Sequence, residues 1–220
     1  MQIRYIYHSG YEIVTARHQL VFDYFKGDLP LRDDLTKIFF VSHSHDDHYN
    51  PAVHAMADRV VLWNGITRRD AKTVPLGVGD ETELDGIRIR TSGSTDEGLS
   101  FEVEVEGRRL IHAGDLNDWN WPDDTPQEAR EMHDAFLENL ARFKAEPDAL
   151  FFPIDYRIEQ NYDKGVNEAV RQLRPGLLFP LHFTANPTIL PVYREKIAAR
   201  VRLVLPEEMP FELPSWPSRT

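Results

Sequence analysis

Three imidazoles and two carboxylates fall within six consecutive positions of the stretch VSHSHDDHYNP, residues 41–51: His43, His45, Asp46, Asp47 and His48. Such a density of nitrogen and oxygen donors is either a solvated polar turn or a place built to hold a cation. In an extended segment, residues two apart project to the same side, so His43 and His45 can converge on one ion. Asp47 and His48, just beyond, can reach a second position a few ångströms away. The chain has no cysteine, so a metal has to be held by nitrogen and oxygen. That donor set suits Zn, Mn, Fe or Ni without choosing among them.

The elements around the cluster decide between the two readings. Alternation and β-branched or aromatic richness predict strands at about 2–7, 11–15 and 19–24, then a buried run, KIFFV, at 37–41. The histidines follow that run directly, on the loop at the C-terminal end of a buried strand, where layered α/β proteins commonly place their sites. Asn50 and Pro51 predict a short helix through about Ala57, with Asn50 as N-cap. Further strands are expected at about 59–63, 86–90, 100–106 and 108–112, the last two joined by a Glu106-Gly107 hairpin turn. A helix over about 126–145 carries Thr125 and Glu128 as a capping box, with Met132, Phe136, Leu140 and Phe143 on its apolar face. Strand and helix then alternate: strands at about 149–154, 177–181 and 201–205, helices at about 161–173 and 191–200. This order fits two stacked sheets with helices outside. The stretch 115–125, with Trp119 and Trp121, reads as an ordered loop near a site.

Bulk properties narrow the function classes. The 220 residues, 41% of them apolar, suffice for one core, and we expect a single domain over 1–220. A formal net charge of -11 disfavours a nucleic-acid partner. No apolar run reaches about 18 residues, so no membrane span is expected, and the first residues, MQIRYIYHSGYEIV, alternate like a strand instead of forming a leader. A cytoplasmic location follows as the expectation.

The pattern H-x-H-x-D-H after a buried strand resembles the signature of the metallo-β-lactamase fold superfamily. The resemblance implies an α+β, four-layer αββα sandwich with its site at one edge of the two sheets. Later elements arrive in the family's order. Arg109 to Asp115, RLIHAGD, is similar to the strand whose Asp bridges two metals, and Pro180 to Phe183, PLHF, to the late strand whose His binds the second ion. The resemblance therefore implies that His43 and His45 hold one metal, that Asp47, His48 and His182 hold the other, and that Asp115 lies between. It makes Asp47 the catalytic residue and implies one or two divalent ions, Zn foremost with Mn, Fe or Ni as alternatives. His8 and Asp23 are similar to positions of a lactonase-like branch that orient the ligands, and His112 is expected to be a strand residue.

One segment departs from the family. Where members carry a further His, this chain reads Thr91-Ser92-Gly93-Ser94-Thr95-Asp96-Glu97-Gly98. Ser94 stands in the vacant place, and a shift of one or two residues presents Asp96, the better ligand. Two ions with Asp96 as a substitute, one ion at the second site, and a degenerate binding protein all remain open. The function implied is a metal-dependent hydrolase acting on an ester, lactone or phosphoester of a small molecule. Its alternatives are a non-catalytic metal- or ligand-binding protein and a di-iron oxidoreductase of the same fold. Arg157, after the strand ending in Asp155, reads either as a surface ion pair or as a contact for a substrate anion. His133 is expected on the exposed part of the long helix.

Overall fold

The computed structural model describes residues 1–214, so the last six positions of the expected 1–220 domain lie outside the described residues. The first sheet is built from β1 (Gln2–Tyr7), β2 (Gly10–Val14), β3 (His18–Phe22) and β4 (Thr36–Val41), then, after the helical turn α1 (Val53–Met56), β5 (Arg59–Trp63) and β6 (Thr73–Leu76). The second follows with β7 (Glu81–Leu84), β8 (Ile87–Gly93), β9 (Leu99–Val105) and β10 (Arg108–His112). After α2 (Pro126–Leu140) come β11 (Ala149–Pro153), α3 (Lys164–Leu173), β12 (Leu177–Leu181), α4 (Ile189–Ile197), β13 (Arg202–Leu203) and β14 (Phe211–Glu212).

Both sheets have seven strands, ordered β14-β1-β2-β3-β4-β5-β6 and β13-β12-β11-β10-β9-β8-β7. In each, an antiparallel meander gives way to parallel strands: β3 through β6 in the first, β10 through β13 in the second. The parallel strands β3, β11 and β12 are buried along their whole length, as strands covered on both faces must be. β8 alternates buried and exposed residues over its first positions, which marks one solvated face.

The layers come from three apolar clusters. Between the sheets pack Leu20, Phe22, Phe40, Phe101, Phe151 and Phe179, with Phe22 stacked on Phe40 at 4.5 Å and Phe151 on Phe179 at 4.8 Å. The outer face of the second sheet is sealed by Phe136 and Leu140 of α2, Val166 and Val170 of α3, and Leu190 and Tyr193 of α4. The outer face of the first sheet has a thinner cover, in which Val53 of α1 with Ala57 and Ile66 pack on Phe39, Val41 and Val60. The expected αββα sandwich is therefore present, with one helical layer reduced to a single turn. No helix among the described residues is long and apolar enough to cross a membrane.

Several boundaries differ from the sequence reading for local reasons. Asn50 does bond ahead, its Oδ1 accepting from Ala52 N at 2.9 Å, but the residues after it form a turn, Val53 N donating to Asn50 O at 3.0 Å, and the α-helix itself spans only Val53–Met56. The Thr125–Glu128 capping box forms as expected, yet α2 stops at Leu140. α3 begins at Lys164, later than the expected start at about 161, and a 3₁₀ segment, Tyr156–Asn161, precedes it. Three strands escaped the pattern: β6 contains Pro75, β7 is Glu-Thr-Glu-Leu, and β14 lies in a Pro-rich tail. Each is an outermost strand of its sheet or pairs with the outermost, where apolar alternation is weakest.

Candidate metal centre

The site gathers at the C-terminal ends of the parallel strands. Asp23 comes directly after β3, His43 two residues after β4, Asp115 three after β10, Asp155 two after β11, and His182 directly after β12. Three of the side chains sit on strained backbone, His8 at φ 55°, Asp23 at φ 42° and His182 at φ 61°. Non-glycine residues enter this left-handed region rarely, and such strain clusters where the surrounding fold imposes it for function. His8 occupies the tight turn between β1 and β2, fixed by its N–H donating to Tyr5 Oη at 2.7 Å and by the contact of His112 Nε2 with Ser9 O at 2.9 Å.

Asp115 is the centre of the arrangement. Its Oδ1 lies 3.0 Å from His48 Nε2 and 2.7 Å from His182 Nε2, and its Oδ2 lies 3.5 Å from His43 Nε2. His48 Nε2 and His182 Nε2 are themselves 3.0 Å apart. Two sets of donor atoms result, each within a 4.8 Å span: His43, His45, Asp96 and Asp115, and His8, His48 and His182.

The outer nitrogens are held from behind. His48 Nδ1 meets Asp23 Oδ2 at 2.9 Å, His182 Nδ1 meets Asp155 Oδ2 at 3.3 Å, His43 Nδ1 meets Ser42 Oγ at 2.9 Å, and His8 Nδ1 meets Thr184 Oγ1 at 2.8 Å. An ionised carboxylate can only accept, so Asp23 and Asp155 fix the proton on Nδ1 and turn an Nε2 lone pair inward. This is the backing that metal-binding imidazoles receive in proteins. Asp23 also accepts from Ser42 N and Oγ, both at 2.8 Å, which locks the loop that starts with His43.

The electrostatics call for positive charge at this spot. Burial works to lower the His48 pKa, but Asp115 and Asp23 outweigh it and push it up to about 10. Burial works to raise Asp115, and His182 and His48 nevertheless hold it well below the carboxylate range. Burial, aided by His48, drags His43 down to about 4, leaving it a neutral donor. Three of the inward atoms, His8 Nε2, His43 Nε2 and Asp115 Oδ1, are buried and make no well-aligned hydrogen bond among the described residues, their near neighbours being the titratable groups of Asp47, Asp115, His48 and His182. Orphans of that kind require an explanation, and a divalent cation between nitrogen and carboxylate donors supplies one. The residues present therefore fit the ion.

The sequence-based candidates fall into place unevenly. His43, His45, Asp96 and Asp115 are brought together, and so are His48 and His182. Asp96 approaches His45 Nδ1 at 3.8 Å, whereas Ser94 Oγ accepts from Asp96 N at 3.2 Å within the turn. Asp47 is in neither donor set; its Oδ2 faces His8 Nε2 at 3.3 Å, and this contact with the imidazole holds its carboxyl far below its ordinary pKa. His8, read from the sequence as a residue behind the ligands, stands where Asp47 was expected. Asp155 was read only as the end of a strand; its one signal is a carboxylate just past the buried run ALFFP. His112 stacks on Phe22 at 5.0 Å and is a strand residue, as expected. His133 is half exposed but pairs with Asp118 at 2.9 Å.

A cavity of about 240 Å³ opens at the centre, lined by Thr95, Asp96, Asp115, Trp119, Trp121, Met132 and Arg157. Arg157 is not a surface ion pair with a surface partner, because its Asp155 is fully buried. Replacing Asp23 by Asn should weaken metal binding by about 10- to 100-fold, the usual effect of losing a carboxylate behind a ligating imidazole. Competition against a chelating dye reads this directly, and an unchanged affinity would show that Asp23 does not orient His48.

Comparison with known proteins came out consistently. The profile of a beta-lactamase superfamily domain matches residues 2–134. A metal-dependent hydrolase of Symbiobacterium thermophilum is 27% identical, covering 92% of this chain and 92% of its own. Another of Thermoplasma acidophilum is 25% identical over 94% of this chain and 96% of its own. Among solved structures, a metallo hydrolase of the archaeon Ignicoccus hospitalis superposes with a TM-score of 0.68 at 17% identity, covering 93% of this chain and 94% of its own, a likeness of fold.

Proposed function

The chain belongs to the β-lactamase superfamily and is a metal-dependent hydrolase of that fold, and we propose that it cleaves an ester, lactone or phosphoester bond of a small molecule. His43, His45 and Asp96 would hold one divalent ion, His48, His182 and His8 a second, with Asp115 shared between them. Zinc is the first candidate for this nitrogen and oxygen donor set. A divalent ion in such a site supplies Lewis acidity and makes water acidic enough to react near neutral pH. The observation that carries the reading is the gathering of two donor sets, His43, His45, Asp96 and Asp115, and His8, His48 and His182, each within 4.8 Å, with Asp115 Oδ1 set against the Nε2 atoms of His48 and His182.

The chain's own groups divide the remaining work. Asp47, partly exposed and kept ionised by His8, would accept a hydrogen bond from water and so orient it. In the reaction the water oxygen joins the acyl carbon or phosphorus, the bond to the leaving oxygen breaks, and that oxygen takes up a proton. Trp119, whose Nε1 donates to Asp115 O at 2.8 Å and whose ring meets His182 edge to face at 5.7 Å, shields one side from bulk water. The same reading takes the chain as one cytoplasmic domain, and its charge of -11 argues against a nucleic-acid partner.

The test is elemental analysis of the purified protein, followed by assay of p-nitrophenyl esters, bis-p-nitrophenyl phosphate and lactones with added Zn or Mn. Bound metal and turnover of at least one class are expected. A metal-loaded protein inert toward all of them would favour the non-catalytic binder.

A further inference from the structure

The cavity beside the metal centre has two walls of unlike chemistry. On one, Trp119 and Trp121 lie parallel, ring centres 6.1 Å apart and planes within 12°. Trp119 is buried and accounts for the shielding of His182. Trp121 is 38% exposed and has no such duty, yet it stands at the cavity rim with Met132 beside it in the lining. A pair of parallel indoles lining a cavity beside a metal centre offers a flat apolar face on which a planar ring can stack. The shelf is also rigid. Trp121 N donates to Asp124 Oδ2 at 2.7 Å, and Asn161 Nδ2 donates to both Asn120 O and Asn120 Oδ1 at 2.7 Å.

The other wall is Arg157. Its Nε donates to Asp155 Oδ2 at 2.8 Å and to Oδ1 at 3.1 Å, and its Nη2 donates to Asp155 and lies 3.2 Å from His182 Nδ1. Asp155 is fully buried, so the guanidinium cannot swing away without stranding a buried charge. That pairing leaves Nη1 without a partner among the described residues, on a side chain that lines the cavity and is 49% exposed. A pinned guanidinium with a free edge is suited to carboxylate or phosphate oxygens.

We propose that the substrate carries a flat apolar group, an aromatic or unsaturated ring, that stacks on Trp121, together with an anionic group, carboxylate or phosphate, that pairs with Arg157. This rests on the hydrolase reading for the place of the bond that is cleaved and adds the class of molecule that carries it. The cavity of about 240 Å³ is below the roughly 300 Å³ at which pockets for larger ligands begin, so the molecule is small. The lining that carries Trp121 and Arg157 also carries Asp115 and Asp96, so the bound molecule lies beside the metal centre.

Isothermal titration of the purified protein with phenylphosphonate and methylphosphonate separates the two walls, and neither probe has a bond to hydrolyse. Wild-type protein should bind both, with phenylphosphonate the tighter. Trp121→Ala should weaken phenylphosphonate about tenfold, as loss of a stacking partner implies, and leave methylphosphonate unchanged; Trp121→Phe should recover much of the loss. Arg157→Gln should weaken both about tenfold or more, and Arg157→Lys should recover part, with metal content checked in each variant. No binding of phenylphosphonate to wild type, an unchanged ratio of the two affinities in Trp121→Ala, or unchanged binding of both in Arg157→Gln would each overturn the proposal. Because the ratio is independent of turnover, it can hold even if no ester, lactone or phosphoester is cleaved, and it can fail while hydrolysis is found.

Discussion

Asp115→Asn should strip the protein of most of its metal and lower its hydrolytic rate by roughly a thousandfold, the loss expected when a cation worth several kcal/mol to the reaction is removed. The carboxylate stands within 3.5 Å of three imidazole nitrogens, from His43, His48 and His182. An amide keeps one oxygen, cannot carry the negative charge, and turns an NH₂ group toward donors that need a cation. The same change leaves His48 Nε2 and His182 Nε2 facing each other at 3.0 Å without the carboxylate between them, so the apo form of the variant should also melt at lower temperature. Elemental analysis beside the rate measurement decides the matter. Full metal stoichiometry in Asp115→Asn would remove Asp115 from the centre.

A second large effect is expected from a residue with no side chain. Gly98 sits at φ +85°, and a Cβ there would lie 2.1 Å from Ser42 O and 2.5 Å from His43 Cβ. Leu99 N donates to that same Ser42 oxygen at 2.9 Å, so the start of β9 presses on the backbone that launches His43. Gly98→Ala adds the strain of a left-handed backbone, about 1–2 kcal/mol, to an overlap costing about 1–3 kcal/mol. The melting temperature should fall by about 5–15 °C, with metal lost as His43 is pushed aside. Gly107 gives the control, since it has φ +75° and nothing within 4 Å of its would-be Cβ. Gly107→Ala should show the strain alone and keep its metal. Equal melting temperatures for the two variants would refute the close approach.

Local spacing carries much of this protein. A buried run ending in His-x-His-x-Asp-His places donors at a strand terminus because a strand covered on both faces can change composition only where it emerges. The two-residue turn at Glu106-Gly107 was legible for a similar reason, as both residues take positive φ, 49° and 75°, and glycine makes that cheap. The weak spots were the outer strands: β7, with its Glu-Thr-Glu-Leu, is held by backbone pairing to β8, and side chains that bury little leave no pattern to read.

The identity of the donors, the strand that carries each, and the order in which they arrive were set by the sequence itself. Which of them meet was decided only by the tertiary structure. His8 and His182 are joined through no local segment; their rings come to 4.1 Å because two sheets close on one another and bring the β1–β2 turn over the end of β12. The placing of His8 beside His48 and His182, and the approach of Asp96 to His45, depend in the same way on distant partners, Thr184 Oγ1 holding His8 Nδ1 and Asn117 holding Thr95 in the Asp96 turn. Spacing along a chain fixes where a side chain can start from, whereas a cation site is defined by where side chains end, and that distance is settled by packing.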